Sequence, residues 1–220
     1  ELRGIYGQAC TPLVLNGACG DVNPWDPWDP DFVRDHKRMG SILAGTAELV
    51  IDEITYTDDV SLDWRTRTID IPWRSAPGEE LDAALAFMAE HPEPIWADES
   101  HTAVDDTWMA AAWRAETHYR AATETTYAYE IQVLRLGDVA IVCVPGEPFA
   151  ELGLAIKQAS PARLTQVVHM PVWPDPCYIP TPRAFDNGGY ETWPRMAQLD
   201  IGAHDQIIAA AGEVVADLFA

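Results

Sequence analysis

One apolar run and the break that ends it constrain this chain more than any other feature. Val139, Ile141, Val142 and Val144 carry a strand pattern that stops at Pro145-Gly146, and a carboxylate, Glu147, follows at once. Helical spacing then resumes through Phe149, Leu152 and Ile156. A carboxylate at a strand-to-helix turn sits at the rim of a sheet, where α/β proteins often place their chemistry. Two readings of Glu147 stand on this pattern: a ligand or catalytic acid, and a charge that complements the dipole of the following helix.

Strands and helices alternate along the rest of the chain. Leu13 to Leu15 is a short strand candidate feeding a Gly-rich turn over Asn16 to Pro24. Prolines in Trp25 to Asp31 forbid a helix and favour an extended loop. His36 to Ile54 reads as a helix with Met39, Leu43, Ala47 and Val50 on one face. Ser61 to Pro72 alternates and reads as strand. Helices are expected over Glu79 to Glu90 and over Asp106 to Thr123, the second capped by Asp105 or Asp106. Tyr127 to Leu136 and Val139 to Val144 form a hairpin about Gly137-Asp138. Phe149 to Gln158 is a helix, Thr165 to Val172 a strand and Ala203 to Phe219 a closing helix. Helices between strands imply an α/β (mixed α+β) architecture of layered sheets flanked by helices, in a single domain over 1–220.

Charge narrows the function classes. A net charge of −21 repels phosphate backbones, so nucleic acid is excluded as a partner, and docking on anionic membranes is disfavoured. No apolar run is long enough to predict a transmembrane segment. The pattern fixes no compartment, whether secreted, periplasmic or cytoplasmic. Cys10, Cys19, Cys143 and Cys177 match no zinc-ribbon spacing. Cys143 reads as a buried filler in its strand, and nothing demands a Cys10–Cys19 disulfide.

Four motifs in order carry a family resemblance. They are Gly20-Asp21-Val22-Asn23-Pro24, Pro145-Gly146-Glu147, Tyr178-Ile179-Pro180-Thr181 and Tyr190-Glu191, and the two tyrosines stand twelve positions apart. Together they resemble the catalytic domain of the neutral/alkaline, non-lysosomal ceramidase family. The resemblance runs from about Val14 to the C-terminus, strongest over Ala140 to Glu191 and weak over Asp52 to Thr126. It implies a ceramidase-catalytic-domain-like fold and a zinc cofactor held by Glu147 and Tyr178. It also implies that Tyr190 hydrogen-bonds the substrate amide or its developing oxyanion, with hydrolysis of an amide bond in a small or lipid-like substrate.

The sequence departs from the family in two places. The family's serine position is Asn23, so no serine nucleophile is present. What the resemblance then leaves is attack by water activated at the metal, with Asn23 or backbone N–H groups as donors and Asp21 as a supporting acceptor. Gly20 and Arg183 complete the substrate-binding candidates, Arg183 because it lies between the tyrosines and can orient a carboxylate. Second, the family's zinc takes two histidines from upstream of the Gly-Asp turn, and none of His36, His91, His101, His118, His169 and His204 stands at such a place. His169 reads as a hydrogen-bonded core histidine. The chain opens Glu1-Leu2-Arg3 without an initiator Met. The expectation is the C-terminal portion of such a domain, its remaining ligands supplied by an N-terminal segment or a companion chain. The oligomeric state stays open, although a shared site calls for an intimate partner.

Two alternatives come from other classes. A non-catalytic relative that binds a ligand or partner fits the missing serine and histidines. A glycan-binding or glycoside-cleaving protein fits the Trp-rich loop, with Asp26, Asp29 and Asp31 as candidate carboxylates; the plainer reading of that loop is a rigid segment packed by its tryptophans.

Overall fold

The computed structural model describes residues 1–26, 28–75, 77–170 and 176–220. In chain order its helices and strands are α1 (Leu2–Tyr6), α2 (His36–Ile51), β1 (Leu62–Pro72), α3 (Glu79–Glu90), α4 (Asp106–Thr123), β2 (Thr126–Leu136), β3 (Val139–Pro145), β4 (Glu147–Pro148), α5 (Ala150–Ala159), β5 (Leu164–Met170), β6 (Tyr178–Ile179), α6 (Pro182–Asn187) and α7 (Ala203–Phe219). A single turn of 3₁₀ helix covers Tyr190–Thr192. The architecture is mixed α/β, as the alternation predicts. No helix among the described residues is long and apolar enough to cross a membrane.

A four-stranded sheet in the order β1-β2-β3-β5 forms the centre. Its first three strands are antiparallel neighbours, and the β2–β3 hairpin turns at Gly137, whose φ of 61° a glycine adopts without strain. The β3–β5 pair is parallel. Parallel neighbours need a crossover, and α5 supplies it.

One face of the sheet is covered. α7 buries Ala203, His204, Ile207, Ala210, Ala211, Val214, Val215 and Leu218, a stripe of helical period. That stripe belongs to one core with Ile71, Tyr129, Ile131, Val133, Val142 and Val144 of the sheet and Leu152 and Ile156 of α5. Each such aliphatic side chain contributes about 1.5–3 kcal/mol by leaving water. Arg67 reaches Glu213, and Arg135 donates to the Leu218 carbonyl at 2.7 Å, which ties β1 and β2 to the same helix. α3 and α4 pack on each other through Leu81, Ala84, Ala111 and Ala115.

The opposite face is open toward the β1 edge. Register places Leu62, Leu136, Val139 and Leu164 in one row across all four strands, and Trp64, Leu134 and Ile141 in the next. Leu62 is 74% exposed and Trp64 59%. Alternation in β1 therefore divides Ile69 and Ile71, facing α7, from an apolar pair left in the open.

Several expectations are corrected. Leu13 to Leu15 pairs with no strand and is exposed. α2 ends at Ile51 rather than Ile54, closed by the Asp52 N–H on the Glu48 carbonyl. Its predicted apolar face is not a core face: among the described residues of the helix Ala44 is buried, while Met39, Leu43 and Val50 are exposed. The strand expected to reach Val172 runs to Met170, and Val172 lies outside the described residues. Asp105 caps α4, accepting from the Thr107 and Trp108 N–H groups.

Tyr129 joins this core to the turn that follows β3. It is fully buried, and its hydroxyl donates to the Pro145 carbonyl at 2.6 Å. Burial pushes its pKa well above that of an ordinary phenol, with Tyr127 adding to the shift. A native pKa above the unfolded one means stability that is complete below about pH 10 and lost as pH rises beyond it. Tyr129→Phe should lower unfolding free energy in urea by about 1–3 kcal/mol, since it leaves the Pro145 carbonyl unpartnered. The variant should also lose part of the parent's alkaline destabilisation when melts are compared on either side of about pH 10.

Candidate functional site

Backbone hydrogen bonds, more than side chains, position the site. Gly146 turns the chain out of β3 at φ 83°, and its N–H donates to the Met170 carbonyl at 2.8 Å. A Cβ at Gly146 would stand 2.7 Å from the Cys177 carbonyl oxygen, so glycine is required by space as well as by φ. The next residues form a two-stranded parallel ladder, β4 against β6. Glu147 N–H donates to Cys177 O at 2.7 Å and Phe149 N–H to Ile179 O at 3.1 Å. Pro148 lies between them, where its missing N–H would point away from β6, and its carbonyl accepts from Gly20 N–H at 2.9 Å. β6 is held on its far side by Tyr178 N–H donating to Met196 O.

The Gly-Asp turn near the N-terminus closes on the same place. Asn16 O accepts from His169 N–H at 3.1 Å, which lays that segment beside β5. Gly20 is buried, and a Cβ there would collide with the Glu147 carbonyl oxygen. Asp21 Oδ1 accepts from Ala150 N–H at 2.6 Å. Phe149, the N-cap residue of α5, offers no side-chain cap, so Asp21 satisfies an open N–H of the first turn from far away in sequence. Asp21 thus acts as an acceptor for α5.

Glu147 and Tyr178 are register partners. Partners on adjacent parallel strands present their side chains to the same face, about 5 Å apart at the backbone. Both are half-buried. Tyr178 Oη and Tyr190 Oη are 3.0 Å apart, and the rings meet edge to face at 5.7 Å between centroids. Burial raises the Tyr178 pKa far above the ordinary phenol value, helped by the Tyr190 hydrogen bond and by the charge of Glu147. The Cys19 thiol is likewise pushed up, by burial and then by Glu147 and Asp21. Among the described residues no cation pairs with Glu147. An unneutralised carboxylate beside a phenol that resists ionisation is a setting that attracts a cation and in which phenolate forms only against one. These donors suit zinc in chemistry but not in number: among the described residues no group of three or more His, Cys, Asp and Glu side chains is gathered that could hold a metal.

The remaining candidates fall outside this cluster. Asn23 is exposed in the turn after Asp21. Arg183, in α6, is bound to Glu151 of α5 at 2.7 Å, so the carboxylate it orients is one of this chain. His169 differs from expectation, since its buried Nδ1 has no hydrogen-bond partner among the described residues. Asp26 and Asp29 spend an oxygen each on the N–H groups of Trp28 and Asp31, as turn residues do. Trp28 is 89% exposed rather than packed, while Trp25 carries the Arg34 guanidinium over its ring at 4.2 Å. Among the described residues no disulfide joins Cys10, Cys19 or Cys143 to another cysteine.

Sequence reasoning missed Trp193, whose ring meets that of Tyr190 edge-on at 6.5 Å. Its position three residues past Tyr190, beyond a tight turn, was the available signal. The role of Asp21 at α5 had none, because the bond joins residues 129 positions apart.

The solved structure of neutral ceramidase from Pseudomonas aeruginosa superposes on this chain with a TM-score of 0.51 at 14% identity, covering 88% of this chain and 35% of that one. The fold is ceramidase-like. The chain thus spans about a third of the length of that enzyme. A ceramidase complexed with C2 is similar at a TM-score of 0.49 and 12% identity, covering 83% of this chain and 34% of that one. No family model and no curated protein matches the sequence.

Replacing Gly20 by Ala should separate the N-terminal turn from β4. Overpacking of this kind costs about 1–3 kcal/mol. Urea unfolding should register that loss, and hydrogen exchange at the Ala150 and Gly20 amides should accelerate together, since Asp21 and Gly20 move as one turn.

Proposed function

We propose that this segment contributes part of a zinc centre that hydrolyses an amide bond in a small or lipid-like substrate. The observation that carries the proposal is the register pairing of Glu147 with Tyr178, with the Tyr178 hydroxyl already in hydrogen-bond contact with that of Tyr190. Glu147 and Tyr178 hold the metal in this reading. Zinc, when bound, supplies a Lewis acid that polarises the amide carbonyl and lowers the pKa of water toward about 7.

The chain's own residues have distinct tasks. Tyr190 donates its hydroxyl proton in a hydrogen bond to the oxyanion that develops on the carbonyl oxygen. Its exposure leaves that hydroxyl accessible to a substrate. Asn23 offers a side-chain amide donor where the family has a hydroxyl. Asp21 positions the turn that bears Asn23 by anchoring it to α5. The two further ligands come from a second segment, in the same polypeptide or a companion chain. The open apolar rows of the sheet give that segment a surface to cover, and the ceramidase-like fold match, which leaves most of the larger enzyme without a counterpart here, supports it.

A second reading has its own support. Asn23 in place of a serine, together with fewer than three gathered ligands, favours a ceramidase-like protein that binds a ligand or partner without turnover.

Metal analysis separates the two. Protein purified with everything that accompanies it should carry zinc, and Glu147→Gln and Tyr178→Phe should each abolish it. Tyr190→Phe should retain zinc and lower kcat on an amide substrate about 10²–10³-fold, the usual effect of one oxyanion donor. Zinc retained by both ligand variants would overturn the metal assignment. Zinc without turnover, unaffected by Tyr190→Phe, would select the binding protein.

A further inference from the structure

An open groove of about 560 Å³ runs between α4 and the turn that follows Tyr190. Its volume lies in the range of small-molecule sites. Asp106, Met109, Ala110, Trp113 and Arg114 line one side, at positions that share a single face of α4. Trp193, Pro194 and Arg195 line the other. The groove is therefore apolar along its length, bounded by two indole rings, and polar at its ends.

Its charges are unevenly placed. Asp106 opens α4, and Arg114 follows about 12 Å further along the helix. Arg114 is paired with Glu80 at 2.7 Å, but Glu80 is largely exposed, and an exposed pair is worth only about 0–1 kcal/mol. Arg195 Nε stands 3.4 Å from Glu116. Behind them Arg74 donates to the Thr192 and Ala197 carbonyls at 2.6 and 3.3 Å. Burial holds its guanidinium pKa below the ordinary value, and the charge of Arg114 lowers it further against the opposing charge of Asp200, so Arg74 and Arg114 are neighbours at this end.

We propose that this groove binds an aromatic carboxylate, its ring between Trp113 and Trp193 and its acid group on Arg114. The carboxylate displaces Glu80 from Arg114 and gains a charge-assisted hydrogen bond in a more sheltered place. Asp106 repels the acid group from the other end and so fixes the orientation. A cation would meet the reverse field, and a neutral alcohol would forgo the arginine. The site needs no metal and does not rest on the proposed hydrolysis. Trp193 joins it to the tyrosine pair, since its ring touches that of Tyr190.

Isothermal titration of the protein with naphthylacetate, naphthylethanol and naphthylethylammonium tests this. The carboxylate should bind saturably and at least about tenfold more tightly than the alcohol, and the ammonium least. Arg114→Gln should remove about that tenfold, Arg114→Lys should retain most of it, and Glu80→Gln should tighten binding by freeing Arg114. Equal affinity for the alcohol and the carboxylate would overturn the proposal. So would absence of saturable binding, or a Glu80→Gln variant no tighter than the parent.

Discussion

The turn at Pro145-Gly146 is the constraint on which the site depends. A strand of the main sheet ends there, and the next two residues leave that sheet to pair with β6. The change of sheet is possible because Gly146 adopts a positive φ that brings its N–H to Met170 O and leaves Glu147 N–H aimed at Cys177 O. Gly20 then approaches the other side of Glu147 so closely that no side chain fits. The backbone that carries this carboxylate is held by main-chain bonds on both flanks, so its placement does not depend on a salt bridge. That leaves its charge available to a ligand.

Most of the larger elements were legible in the sequence because they obey local rules. α3, α4 and α7 have helical periodicity, and α4 has an aspartate at its cap. The β2–β3 hairpin has alternation and a Gly-Asp turn. What local rules could not give was the second sheet: β4 and β6 have two residues each, too short for any periodicity, and each exists only because the other is present. α2 failed in the opposite way. Its apolar stripe is a sound helical pattern, but burial is a property of a neighbour, and most of that stripe stays exposed.

The site was legible to a comparable degree. Glu147, Tyr178 and Tyr190 do come together, with the tyrosine hydroxyls in hydrogen-bond contact. Arg183 is engaged elsewhere, on Glu151 of the adjacent helix. Asp21 lies at the edge of the cluster and acts on the helix after Glu147, a role no spacing announces. Sequence motifs mark which residues are brought close; which atom bonds which is set by main-chain geometry that the motif does not encode.

Two fields of opposite sign meet at one aromatic ledge. On one side burial raises the Cys19 and Tyr178 pKa values, and the charge of Glu147 adds to both. On the other, Arg114 lines the groove, and its charge adds to the burial that lowers the pKa of Arg74, against the opposing charge of Asp200. Tyr178, Tyr190 and Trp193 touch in series between them. In a chain of net charge −21, where an arginine cluster is the exception, the proposed aromatic carboxylate would lie along this ledge with its acid group toward the groove.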